Sequence, residues 1–104
     1  MSNTKLGKVS YIIDQVMFLA NKTSNKFSMG LEETRKANEF SAIESLVFSE
    51  KVIQDFDEQM VIDFLNDVEE KGGKIYSVDS TTDVGLRVSG LGGIISLLRF
   101  PVTG

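Results

Sequence analysis

Near the end of the chain, seven residues from Ile94 to Phe100 (Ile-Ile-Ser-Leu-Leu-Arg-Phe) are almost continuously apolar, and the run stops at Pro101, the single proline. It is far shorter than the ~20 residues of a membrane helix. It suits a strand that is apolar on both faces, which is stable only inside a sheet with a layer packed on each side. Proline has no N–H to give to a ladder, so it marks the strand's end. A chain of 104 residues has room for one core of this kind, with roughly two-thirds of its unfolded surface buried. One domain over 1–104 is therefore expected.

The rest of the chain alternates helical and extended patterns, with no repeat or low-complexity stretch. Ile12, Val16 and Leu19 recur at helical spacing and predict a helix over Val9–Asn21, with Ser10 as its N-cap. Lys22–Asn25 reads as a turn and Lys26–Ser28 as a short strand. A second helix is expected over Leu31–Phe40, with Glu32 and Glu33 in the first turn where the helix dipole favours carboxylates. Leu46-Val47-Phe48, bounded by serines, predicts a buried strand over Glu44–Ser49. Asp55 or Asp57 then caps the clearest helix, whose stripe is Met60, Val61, Phe64, Leu65 and Val68. Gly72-Gly73 closes it. Lys74–Val78 is a further strand, and Thr81 or Thr82 caps a short helix over Asp83–Leu91, weakened by Gly85. Strands alternating with helices give an α/β fold covered on both sheet faces.

Composition removes several functions. There is no Cys and no His, which excludes thiol catalysis and disulfides, leaves almost no zinc chemistry, and removes the commonest neutral-pH base. Fifteen acids against eleven bases give a net charge of −4, the opposite of a domain that grips nucleic acid through phosphates. A protein partner is the better expectation. The N-terminus lacks the basic-then-apolar order of a signal peptide, so the expected compartment is the cytoplasm.

Carboxylates are the one plentiful catalytic group. Asp63, Asp67 and Glu70 share a helical face at a spacing a divalent cation can use. The plainer reading is a solvated helix surface, and no nucleophile or base accompanies them. Gly90, Gly92 and Gly93 precede a strand, whereas a phosphate loop follows one and carries a Lys. A tight helix-to-strand turn explains them better, although glycines also let a partner's backbone approach. Leu91, Gly92, Gly93 and Ile94 are the candidate partner-binding residues, with Leu86 and Val88 nearby as either core or an exposed patch. Arg99 is either a sheet-edge residue with a buried stem or the partner of a buried acid.

Two stretches carry a resemblance. Phe27 to Glu50 holds an aromatic, a Gly-Leu pair, Lys36-Ala-Asn-Glu39 and a strand that opens on Ala42-Ile-Glu44. Gly72-Gly-Lys-Ile-Tyr-Ser-Val78 is followed, after a loop, by Leu91-Gly-Gly-Ile-Ile-Ser-Leu-Leu-Arg-Phe-Pro101. Together, over about 27–102, they resemble the third, C-terminal domain of the Pelota and class-one release factor family of archaea and eukaryotes. The short connection from Glu50 to Gln59 and the Arg-Phe-Pro ending favour the Pelota branch, in an archaeal version. Gly90–Ile94 is nearer the release-factor version, and Thr81–Val88 departs from both.

The fold the resemblance implies is a three-layer α/β/α sandwich with a mixed sheet, similar to kink-turn-binding ribosomal proteins. In those relatives Gly30, Glu33 and Lys36 would fall in an RNA-binding motif. Here Glu32 stands where the RNA-contacting Asn would be, and a carboxylate cannot donate an amide's hydrogen bonds and repels phosphate. Direct RNA binding through that motif is disfavoured. The implied function is non-catalytic docking in ribosome rescue, with a translational GTPase related to elongation factor one-alpha and an ABC-type ribosome-recycling ATPase as partners. A kink-turn RNA-binding module, or the same domain of a release factor, is the alternative. No catalytic residue, cofactor or metal is expected in this domain. The divalent-metal endonuclease activity attributed to the parent belongs to an N-terminal domain, so this chain is expected to be a piece of a longer protein.

Overall fold

A computed structural model describes residues 4–22 and 25–102. The order is α1 (Thr4–Asn21), β1 (Phe27–Met29), α2 (Leu31–Glu39), β2 (Ile43–Ser49), α3 (Lys51–Asp55), α4 (Glu58–Glu70), β3 (Lys74–Val78), α5 (Asp83–Gly90) and β4 (Ile94–Leu98). Four strands form one mixed sheet in the order β1-β4-β2-β3. β2 pairs parallel with β3 and antiparallel with β4, and β4 pairs antiparallel with β1. The sheet lies between two helical layers, as the alternating pattern predicted.

The near-continuous apolar run is one of the two central strands, flanked by β1 and β2. Its side chains alternate between two cores. Ile94 and Leu98 enter the cluster under α2, α3 and α4, whereas Ile95 joins Val47 and Val78 under α1 and α5. A bulge between Ile43 and Ser45 shifts the register of β2, so that Ile43, Leu46 and Phe48 all point into the first cluster. On that same face three hydroxyls meet in the core. Ser28 Oγ bonds Thr34 Oγ1 at 2.8 Å and also Ser96 Oγ, while Thr34 donates to the Gly30 carbonyl at 2.7 Å. Each buried hydroxyl is thus satisfied, which avoids the cost of an unpaired polar group.

Several boundaries differ from expectation. α1 continues upstream of Val9, so Ser10 is an interior helical residue and not its cap. Val9, Ile12, Ile13 and Val16 all pack on the sheet, and this tertiary anchoring outweighs the helix cost of Gly7. The expected turn at Lys22–Asn25 falls partly outside the described residues. Lys51–Asp55, read as connection, forms the short helix α3, with Val52 buried beneath the sheet's end. Of the two candidate caps, Asp57 serves α4 and accepts from Gln59 N, and Thr82 serves α5 and accepts from Gly85 N at 3.0 Å. β4 ends at Leu98, two residues early; Arg99 N still donates to Ala42 O at 2.7 Å, while its side chain reaches the end of α4.

Gly85 is not a weakness of α5 but a requirement of it. A Cβ there would lie 1.9 Å from the Asp79 carbonyl oxygen, so only glycine lets the helix close over the β3–α5 loop.

Candidate functional site

The candidate glycine turn joins α5 to β4 at the end of the sheet where β2 and β3 finish. Gly92 and Gly93 both hold positive φ, 108° and 85°, a conformation costly for residues with a Cβ. Close packing adds a second constraint. A Cβ on Gly93 would meet Val52 Cγ2 at 2.6 Å, and one on Gly92 would meet the Gly30 backbone at 3.0 Å. The turn is also fully bonded: Gly93 N donates to Val88 O (2.9 Å), Ser49 N to Gly93 O (2.8 Å) and Gly30 N to Ile94 O (2.7 Å). The glycines are therefore explained by tight closure. Ile94 is sealed in the core and Gly93 is buried, so neither can touch a partner directly. Leu91 is half-buried and Gly92 exposed, and these two alone of the four reach the surface.

A further surface lies on the α1–α5 layer, of which sequence patterning flagged only Leu86. α1 and α5 lie side by side on one sheet face, tied by an Arg87–Asp14 ion pair at 3.5 Å. Both ends of that pair are exposed, so it orients more than it stabilises. Around it, Phe18 and Leu86 keep 54% and 60% of their surface in water, and Met17 is also exposed. Val88, by contrast, is wholly buried. The Lys22 ammonium sits 5.4 Å from the Phe18 ring centroid, covering part of it by cation–π attraction. A sequence signal existed: α1 carries more apolar residues than one buried stripe requires.

The acidic candidates do not converge. Asp63 accepts from Gln59 at 2.9 Å. Asp67 pairs with Lys71 (3.2 Å) and accepts from the Asn38 amide (2.6 Å). The Lys71 hydrogen bond, then that of Asn38, hold the Asp67 carboxyl below its ordinary range. Among the described residues no three acids lie together as a metal site. Among the described residues Arg99 pairs with no acid; its Nε donates to Ile43 O (3.2 Å) and its terminal nitrogen to Lys71 O (3.3 Å). It thus caps the C-terminus of α4, where carbonyl dipoles favour a cation.

Of the motif residues considered for RNA, Gly30 backs onto Gly92. The Glu33 carboxylate accepts weakly from Met29 N at 3.4 Å, and Lys36 stands a turn further along α2 with Glu32 and Glu33 exposed beside it. The acids of the first turn answer the helix dipole.

Residues 7–102 match the family described as eRF1 domain 3. The chain is 67% identical to the protein pelota homolog of Nitrosopumilus maritimus, covering 98% of this chain and 29% of that protein. It superimposes on Saccharomyces cerevisiae Dom34, a translation termination-like factor involved in RNA quality control and interacting with Hbs1, with a TM-score of 0.85 at 28% identity. That match covers 96% of this chain and 29% of Dom34. An archaeal Pelota bound to the ribosome with ABCE1 shares the fold at a TM-score of 0.82 and 24% identity, over 97% of this chain and 28% of its own. The chain thus spans about three-tenths of the length of its relatives. No described helix is long and apolar enough to cross a membrane.

Proposed function

The chain belongs to the eRF1 domain 3 family, on its Pelota side, and from that premise we propose that it is the non-catalytic protein-docking domain of a ribosome rescue factor. It receives a translational GTPase and an ABC-type ribosome-recycling ATPase in the cytoplasm. The observation that carries this reading is the exposed apolar surface of Met17, Phe18 and Leu86 on the α1–α5 layer. Apolar side chains held in water on a rigid, two-helix platform contribute little to the fold and much to association. Leu91 and Gly92 reach the surface where α5 ends, while Gly93 and Ile94 are buried in the turn. Dom34 interacts with Hbs1, and an archaeal Pelota is ribosome-bound with ABCE1, which supports a docking reading for the domain they share.

Calorimetric titration of the chain with the translational GTPase and with the ABC-type ATPase tests it. Binding of at least one at tens of micromolar is expected, and no heat from either would overturn the proposal.

A further inference from the structure

At the sheet end opposite the glycine turn, a groove runs between α1 and the starts of β2 and β3. Lys8 and Tyr11 of α1, Lys74 and Tyr76 of β3, and Arg99 line it, with Glu44 the one acid among the lining residues. Three cations facing one carboxylate is an unusual local balance in a chain of net charge −4. None of the three is in an ion pair among the described residues. Arg99 is held by two neutral carbonyls, so its position is fixed while its charge stays available. Tyr11 keeps 60% of its surface in water, and Tyr76 stands half-buried on β3.

We propose that this groove binds single-stranded RNA. Cations along a groove track a phosphodiester backbone, and aromatic rings beside them stack unpaired bases. A duplex hides its base faces and would leave the tyrosines idle. The negative charge elsewhere does not forbid this, because salt at 0.1 M screens exposed charges beyond about 10 Å. The site is distinct from the Gly30–Lys36 motif, which lies with α2 on the opposite face of the sheet. It is also independent of the docking reading, since it uses neither Phe18 nor Leu86.

Fluorescence anisotropy of a labelled twelve-residue oligouridylate, titrated with the 104-residue chain between 50 and 200 mM salt, tests the proposal. Three phosphate contacts predict a slope of log K against log salt of about −2 for a single strand. Lys8→Gln and Lys74→Gln should each make that slope shallower by about 0.7. Tyr11→Ala should weaken binding roughly five- to a hundred-fold by removing one stacked base, with the slope unchanged and with Tyr11→Phe restoring affinity. Lys51→Gln, on α3, should change nothing. Three results would each overturn it: no binding at 50 mM salt, equal weakening by Lys51→Gln, or a twelve-residue oligoglutamate competing as well as the RNA with Tyr11→Ala silent. The last would mark a mere anion patch.

Discussion

Helices α1 and α4 cover opposite faces of the same sheet, and their inner faces are alike. Val9, Ile12, Ile13 and Val16 of one, and Val61, Phe64, Leu65 and Val68 of the other, each build a core. Their outer faces differ. α4 shows water Asp63, Asn66, Asp67 and Glu70 beside one apolar side chain, Ile62, with Asp63 bonded by Gln59 and Asp67 by Asn38 and Lys71, whereas α1 shows Tyr11, Met17 and Phe18. Fold stability does not require that difference, because either inner face suffices to hold its layer. The outer face of α4 looks finished by its own ion pair and hydrogen bonds. That of α1, joined by Leu86, looks unfinished without another molecule.

Removing core atoms tests the likeness of the inner faces and has the largest expected effect. Phe64→Ala on α4 and Ile13→Ala on α1 should each destabilise by about 2–5 kcal/mol. For a domain of this size that lowers the thermal midpoint by roughly 4–8 °C per kcal/mol, as differential scanning calorimetry would read. A loss below 1 kcal/mol at Ile13 would mean that α1 is not a true half of the core. Next comes the packing of α5 beside α1. Gly85→Ala, which in an ordinary helix gains up to about 1 kcal/mol, should here cost about 1–3 kcal/mol by collision with the Asp79 carbonyl. A stabilised variant would contradict the closure described for that loop.

A smaller effect separates the outer faces by pH. Asp67 is held below its ordinary range in the fold, so its contribution is present above the unfolded carboxyl value of about 3.9 and is lost as pH falls through the lower folded value. Melting curves between pH 5 and 2 should decline less steeply for Asp67→Asn than for the parent. Identical slopes would show that Lys71 and Asn38 do not act on Asp67 in solution.

Much of this was legible in the sequence. The periodicity of Met60 to Val68 located α4, the run from Ile94 located a central strand, and Asp57 and Thr82 announced two caps. What escaped depends on contacts between distant residues. α3 is only five residues long and rests on Val52 beneath Gly93, a contact no local pattern encodes. Ser41 adopts positive φ, 52°, between α2 and β2, where glycine would have been the readable signal. The candidate site was legible only at its border. Leu91 to Ile94 drew attention through its glycines, yet those serve closure, and Ile94 is core. Leu86 was open between core and exposed patch, Met17 and Phe18 carried no reading of their own, and the placement of α1 and α5 leaves all three in water. The three cations of the RNA groove lie at positions 8, 74 and 99, so only folding brings them together.

The central claim is that the apolar outer surface of α1 and α5 exists for a protein partner. Its most direct measurement is calorimetric binding of the translational GTPase to the parent chain and to Phe18→Ser with Leu86→Ser. Circular dichroism melting of both proteins would accompany it. Binding by the parent, at least tenfold weaker binding by the double variant, and a stability change below about 1 kcal/mol per surface substitution are predicted. Unchanged affinity in a folded double variant would contradict the claim.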